Sequence, residues 1–177
     1  MKTKLLCAAL VLAFAALVVA CATPAPDDNM DTSNIPTVGV PEVLFALQDP
    51  DNWVIVDVRT QSEFEGNSYS NYSGLLLGRI AGAMHIEWSD ALDETGQLLP
   101  EAQLREVYGE ILDGRHIIVY CRSGVRSLHT WQVLHDLGAS VFNFEGAWIE
   151  WSYAFREDSS FPYSDLVQSF TEGPMWG

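Results

Sequence analysis

The chain has 177 residues, of which 48% are hydrophobic, and a net charge of −15 at pH 7. This length accommodates one folded domain with appendages. The strong negative charge argues against a nucleic-acid partner and against anionic membrane surfaces, because both repel an acidic protein. We attribute the acidity to the solubility of an exported protein.

The N-terminus has the pattern of an export signal. Lys2 and Lys4 precede an apolar run over residues 5–20, which is typical of a secretory signal and too short for a comfortable membrane span. Cys21 ends the run, and a polar, proline-containing stretch follows it. This pattern resembles the lipobox of bacterial lipoproteins, in which the cysteine carries the lipid and begins the mature chain. The alternative is an ordinary cleaved signal in which Cys21 has no role.

We therefore predict a signal peptide over residues 1–20, lipidation at Cys21 and a disordered tether over residues 21–35. Loss of the signal would remove both lysines and leave seven arginines against 24 acidic residues, a net charge of −17. The expected location is the periplasmic side of a bacterial membrane. Ala22 is not an inner-membrane retention signal, which favours the outer membrane.

The following residues alternate between helix and strand patterns. Pro41 opens a short helix, since proline suits a first helical position. Residues 53–58 form an apolar, β-branched run typical of a buried strand. Further helices are predicted at 61–64, 101–112, 127–138 and 147–155, and further strands at 83–87, 117–120 and 141–144. This alternation predicts an α/β fold with a mostly parallel sheet of about five strands and helices on both faces.

The predicted domain covers residues 36–157. Residues 158–177 form a C-terminal arm without clear periodicity. This arm either packs through its apolar residues or stays loose; those residues are Phe161, Leu166, Phe170 and Trp176. Residues 66–82 form a long loop, which we interpret as a surface crossover.

Cys121 lies where the strand at 117–120 ends and the next helix begins. Loop amides and the helix N-terminus converge there, and Arg122 and Arg126 flank them, so the position favours an anion or a thiolate. The other two cysteines lie at or before position 21, which leaves Cys121 as the one thiol of the folded part. An unpaired thiol in an exported protein is either a buried hydrophobe or a reactive group. The loop around Cys121 favours the reactive group.

Four separated motifs resemble the rhodanese family of sulfurtransferases, across roughly residues 34–157. Tyr120-Cys121-Arg122-Ser123-Gly124-Val125-Arg126-Ser127 is a close match to the family's active-site loop. Asp57-Val58-Arg59 with Glu63-Phe64 resembles its strand-end motif, and Glu145-Gly146-Ala147-Trp148-Ile149-Glu150-Trp151 resembles the motif that ends the catalytic half of two-domain members. Gly78-Arg79-Ile80-Ala81-Gly82-Ala83 is similar to the family's Gly-His-Ile-Pro-Gly-Ala, with Arg79 and Ala81 as departures.

The resemblance implies a single rhodanese domain that moves sulfane sulfur from thiosulfate to cyanide or a thiol through a persulfide on the catalytic Cys121. The implied substrate-binding residues are Arg122, Ser123, Gly124, Val125 and Arg126. The two arginines would receive the sulfonate oxygens. Arg122 favours thiosulfate, because family members that act on 3-mercaptopyruvate usually carry a small residue there. For Arg126 the alternative is a salt bridge to a nearby carboxylate.

Small-molecule sulfur donors and acceptors are therefore the expected partners, besides the membrane that holds the lipid. No cofactor is expected, and the chain is expected to be a monomer. Asp57, Arg59 and Glu63 are predicted to form a structural charge network at the end of the sheet. Trp148 and Trp151 are predicted to lie in the core or the pocket wall. The four histidines lack metal-ligand spacing, so no metal site is predicted.

Two other functions stay open. The chain could be a non-enzymatic or relay rhodanese module that passes sulfur to a partner protein or binds one. Cysteine phosphatases and arsenate reductases use a similar cradle with the pattern Cys-x5-Arg. In this chain Arg126 gives Cys-x4-Arg after Cys121, Ser127 stands in the place of the phosphatase arginine, and no aspartate general acid is evident.

Overall fold

Five strands form one parallel sheet in the computed structural model, which describes residues 34–67, 75–155 and 164–173. The strands in chain order are β1 (Thr37–Val38), β2 (Trp53–Asp57), β3 (Arg79–Ile80), β4 (Met84–His85), β5 (His116–Tyr120), β6 (Val141–Phe144) and β7 (Thr171–Glu172). The order across the sheet is β1-β6-β5-β2-β4, and β3 and β7 form a separate antiparallel pair. The central strand is therefore β5, as its apolar, β-branched run predicts.

Six helices surround the sheet in the described part of the chain. They are α1 (Val40–Leu47), α2 (Gln61–Phe64), α3 (Glu101–Val107), α4 (Val125–Asp136), α5 (Ala147–Phe155) and α6 (Ser164–Ser169). Pro41 lies in the first turn of α1, where its missing N–H costs no hydrogen bond. Two residues after the end of α4, Gly138 takes a φ of +86°, a conformation that glycine adopts without steric penalty.

Side chains of β5 alternate between two hydrophobic cores, one on each face of the sheet. Ile117 and Val119 belong to the core that also contains residues of α3 and α4. Ile118 and Tyr120 belong to the core that contains residues of α1, α5 and α6. The predicted α/β architecture, with helices on both faces of a mostly parallel sheet, is confirmed.

Two predicted elements are shorter than expected. The strand at 83–87 covers Met84–His85, although the amides of Ile86 and Trp88 still donate to carbonyls at the end of β2. The helix at 101–112 ends at Val107, and a 3₁₀ turn at Gly109–Ile111 follows it. A glycine weakens an α-helix because its backbone loses more conformational freedom on folding.

The C-terminal arm is packed where the structure describes it. Val167 is fully buried, Phe170 packs against the core on the α5 face, and β7 pairs with β3. Phe161, Trp176 and the side chain of Leu166 lie outside the described residues, as do residues 68–74 of the long loop.

The predicted signal peptide, Cys21 and most of the tether also lie outside the described residues, which begin at Asn34. Across the described ranges, none of the helices is both long and apolar enough to span a bilayer.

Candidate active site

Cys121 directly follows β5 at the carboxyl end of the parallel sheet. Its side chain is buried, with 1% of the residue exposed, and it is the free cysteine of the described residues. The Cys121 carbonyl accepts a hydrogen bond from the Trp148 amide at 3.0 Å, and the Arg122 carbonyl accepts one from the Ile149 amide at 3.2 Å. The start of α5 therefore fixes the backbone on which the thiol is carried.

The turn between β5 and α4 directs polar hydrogens at the sulfur. The Gly124 amide donates to Cys121 Sγ at 3.2 Å, and Ser127 Oγ lies 3.7 Å from the same atom. The single hydroxyl proton of Ser127 donates either to Sγ or to the Gly124 carbonyl oxygen, which lies 3.0 Å away. The Gly124 amide therefore contributes a hydrogen bond to the sulfur.

Glycine is required at position 124. Its φ is +90°, and a Cβ added there would lie 2.7 Å from the Glu145 carbonyl oxygen. A larger residue would therefore both strain the backbone and push the loop away from the turn after β6. The amide that donates to Cys121 depends on this conformation.

Helix α4 begins at Val125, two residues earlier than the sequence pattern predicts, and runs for 12 residues. Its N-terminus presents unpaired amides and the positive end of the helix dipole to the loop that holds Cys121. This is an arrangement in which an anion can bind.

Arg126 is held by a carboxylate. Its Nη1 and Nη2 donate to the two oxygens of Glu63 at 2.8 and 3.1 Å, and the side chains are 27% and 13% exposed. The salt bridge that the sequence left as an alternative is therefore present. It uses one N–H on each terminal nitrogen, that is, two of the five N–H groups of the guanidinium.

This ion pair changes the titration of both partners. Burial opposes the ionisation of Glu63, but Arg126 and the Thr60 amide together lower the pKa of Glu63 to about 2. Burial also opposes the charge of Arg126, yet Glu63 and an ionised Cys121 raise the pKa of Arg126.

The other loop residues are more open. Arg122 is half-buried, Ser123 is exposed and Val125 is 60% exposed. The structure thus places three of the five predicted substrate-binding residues in the turn after Cys121 and the other two, Val125 and Arg126, in the first turn of α4. Their contacts with a substrate stay a prediction.

A buried charge network lies at the carboxyl end of β2, next to the end of β5 that precedes Cys121. Arg59 donates to both carboxylate oxygens of Asp57, with the shortest contact at 2.6 Å, and to the Gly78 carbonyl at 2.7 Å. The Arg59 guanidinium also lies 4.5 Å from the Trp148 ring centre. Although burial opposes its charge, Asp57 raises the pKa of Arg59. The structural role predicted for Asp57 and Arg59 is confirmed, whereas Glu63 pairs with Arg126.

Tyr120 joins this network and was missed by the sequence analysis. Its hydroxyl donates to Asp57 at 2.7 Å and accepts from the Ile80 amide at 3.2 Å. Burial raises the pKa of Tyr120 well above its ordinary value, which keeps the phenol protonated as a donor. Tyr120 directly precedes Cys121 in the sequence, and successive side chains of a strand point to opposite faces of a sheet. This position was the sequence signal that could have placed Tyr120 on the face opposite Cys121.

Trp148 and Trp151 are 2% and 0% exposed and belong to the core, as predicted. Among the described residues, no group of three or more histidine, cysteine, aspartate or glutamate side chains is arranged to hold a metal ion.

Comparison with known proteins agrees with this arrangement. The family model of the rhodanese-like domain matches residues 40–154. Thiosulfate sulfurtransferase of Corynebacterium glutamicum is 39% identical over 124 residues, which cover 66% of this chain and 41% of the relative. A putative thiosulfate sulfurtransferase, SseA of Mycobacterium tuberculosis, is 40% identical over 109 residues, covering 58% of this chain and 37% of the relative. The chain thus spans less than half the length of these curated relatives.

Two solved structures share the fold. Tum1 from Saccharomyces cerevisiae superimposes with a TM-score of 0.62 at 21% identity, covering 80% of this chain and 47% of that one. SseA from Escherichia coli, described as a 3-mercaptopyruvate sulfotransferase, gives a TM-score of 0.52 at 28% identity, covering 64% and 42%. Since the family model covers well over half of the residues and includes the whole Cys121 loop, the chain belongs to the rhodanese family.

Proposed function

We propose that this protein is a thiosulfate sulfurtransferase that carries sulfane sulfur as a persulfide on Cys121. The observation that carries the proposal is the hydrogen bond from the Gly124 amide to Cys121 Sγ at the N-terminus of α4. An N–H group that donates to this sulfur can stabilise the negative charge that the sulfur carries during transfer.

The first half-reaction loads the enzyme. The Cys121 thiolate attacks the outer sulfur of thiosulfate, a new S–S bond forms, and the S–S bond of thiosulfate breaks. Sulfite leaves with the electron pair, and the terminal sulfur of the persulfide keeps the negative charge. The Gly124 amide donates to the attacking sulfur, and the Ser127 hydroxyl lies close to it. Both groups can therefore stabilise negative charge at this sulfur during the reaction.

The second half-reaction unloads the enzyme. A nucleophile such as cyanide attacks the terminal sulfur, the persulfide bond breaks, and Cys121 leaves as a thiolate while thiocyanate is released. A thiol acceptor would leave with the sulfur as a new persulfide. No proton transfer from a side chain is needed with cyanide, which fits a site whose polar groups are donors to the sulfur.

Thiosulfate is favoured as the donor by the two arginines of the loop. The guanidinium groups of Arg126 and Arg122 can form charge-assisted hydrogen bonds to a sulfonate group. The relative from C. glutamicum carries the same substrate in its name.

We also propose that Cys21 is lipidated and anchors the domain to the periplasmic face of a bacterial membrane, with the outer membrane favoured. The support for this is the sequence around residues 5–21.

The proposed activity is tested by thiocyanate formation from thiosulfate and cyanide. The wild-type protein is expected to turn over, and Cys121→Ser is expected to be inactive with an unchanged circular dichroism spectrum. Turnover by the folded serine variant would remove Cys121 from the mechanism. Inactive wild-type protein that still acquires a persulfide would favour the relay function.

A further inference from the structure

The two departures from the family motif at residues 78–83 both contact the C-terminal segment, residues 164–173. Arg79 forms an ion pair with Glu172 at 2.7 Å. The Ala81 amide donates to the Phe170 carbonyl at 2.7 Å, a bond that the family's proline could not make because proline has no N–H. Strand β3 pairs with β7 next to these contacts. A Cβ on Gly78 would overlap the Glu172 carbonyl oxygen, so the two segments approach closely.

Arg79 continues this contact towards the active site. Its guanidinium lies 4.6 Å from the ring centre of Phe64 in α2, and the Phe64 ring also stacks on His85, with 4.6 Å between the ring centres. Helix α2 has only four residues and buries none of them. Side-chain contacts such as these therefore have a large share in fixing its position.

The neighbour of Phe64 on α2 is Glu63, which accepts two hydrogen bonds from Arg126. A shift of α2 would move this carboxylate and, with it, the guanidinium beside Cys121. The contacts thus run without a gap from Glu172 through Arg79, Phe64 and Glu63 to Arg126.

We infer that the C-terminal segment is a positioning element of the active site: Arg79, held by Glu172, fixes α2 so that Glu63 presents Arg126 to an anion at Cys121. This inference rests on the proposed role of Arg126 in the sulfur-transfer site. Arg79 is a positioning residue, because its contacts are with Glu172 and Phe64 and it acts through them.

The test measures the charge beside Cys121 without using sulfur transfer. Alkylation of Cys121 in the full chain by iodoacetate and by iodoacetamide is followed on the peptide that contains it; both reagents form an S–C bond and release iodide. Because both meet the same thiol, the ratio of their rates reports how well Arg126 attracts the anionic reagent. Arg126→Met sets the lower limit of this ratio.

Arg79→Met is expected to lower the ratio about two- to fivefold, the range for loss of a partly exposed ion pair. Arg115→Met is the matched control, since it removes the same charge from an ion pair with Asp113 elsewhere and should leave the ratio unchanged. Glu172→Gln is expected to lower the ratio too. Long-range electrostatics alone would raise the ratio, because the loss of a negative charge makes the protein less repulsive to the anionic reagent.

A second variant removes a single N–H from the contact. Ala81 and Gly82 occupy the centre of a turn closed by the Ala83 amide and the Ile80 carbonyl, and Gly82 has a φ of +72°. This is the geometry of a type II turn, which favours proline at the position of Ala81 after an extended residue such as Ile80. Ala81→Pro should therefore keep the turn, lose the bond to Phe170 and lower the ratio.

The inference is overturned if the ratio is unchanged in both folded Arg79→Met and folded Ala81→Pro, or if Arg79→Met lowers it equally in the Arg126→Met background. Thermal unfolding establishes that each variant is folded; if Arg79→Met is not, Arg79→Lys, which keeps the charge but not the flat stack on Phe64, takes its place. Failure of wild-type protein to form a persulfide would overturn the proposed function and leave this ratio measurable.

Discussion

The ion pair between Glu63 and Arg126 makes stability depend on pH in a way that one substitution can isolate. Glu63→Gln keeps the size of the side chain and an oxygen for the Thr60 amide, but it removes the charge that binds Arg126. The pKa of Glu63 falls from an ordinary value of 4.5 to about 2. At 1.36 kcal/mol per unit, the upper limit of the contribution is about 3 kcal/mol. Because the pair is partly exposed, we expect about 1–2 kcal/mol at pH 7.

The direction in which stability changes with pH follows from proton binding. Between pH 4.5 and 2 the unfolded chain holds a proton on Glu63 that the native protein lacks, so acid favours the unfolded state. The stability advantage of wild type over Glu63→Gln should be constant above about pH 5.5 and lose more than half of its size by about pH 3. Other titrating groups are common to both proteins and cancel in the difference.

Urea unfolding of both proteins at pH 7, 5, 4 and 3 measures this difference in the free energy of unfolding. Glu106→Gln, a change at an exposed residue of α3, controls for the loss of one negative charge from an acidic protein. A difference that is absent at pH 7, or that stays the same down to pH 3, would refute the reasoning.

Four further substitutions test other parts of the account. Arg126→Ala should lower kcat/KM for thiosulfate roughly 10- to 150-fold, which corresponds to the loss of one charge-assisted hydrogen bond. Arg122→Ala should lower kcat/KM less and should shift the donor preference towards 3-mercaptopyruvate. Steady-state kinetics with both donors measures these effects, and unchanged thiosulfate kinetics in Arg126→Ala would contradict the role of Arg126. Gly124→Ala should reduce the free energy of unfolding by about 1–3 kcal/mol, because φ is +90° and its Cβ would crowd Glu145; a urea titration equal to wild type would contradict that strain. Cys21→Ala should abolish partition into detergent, and a wild-type protein that stays in the aqueous phase would exclude the lipid anchor.

The sequence was sufficient for the central part of the fold because local patterns and burial agree there. The apolar run before Cys121 predicts a buried strand, and the helix pattern from Ser127 predicts all but the first two residues of α4. The thiol is therefore placed at the strand end without knowledge of other contacts. The alternating sides of β5 then follow from the period of a strand.

Contacts between distant residues were not predictable in the same way. Arg126 and Glu63 are 63 positions apart, and nothing in the loop motif identifies this carboxylate as the partner of the arginine. Likewise β3 and β7 have two residues each, too few for a periodic pattern, and Arg79 meets Glu172 across 93 positions. Both contacts exist because the fold brings together helices and strands that are distant in the sequence, and a local sequence pattern does not contain this information.

The central claim is that Cys121 carries the transferred sulfur, and intact-mass measurement after treatment with thiosulfate tests it most directly. We predict the gain of one sulfur atom, located on the peptide that contains Cys121, lost again on addition of cyanide and absent from Cys121→Ser. Wild-type protein whose mass does not change, or a sulfur that is found elsewhere or persists in the serine variant, would contradict the account.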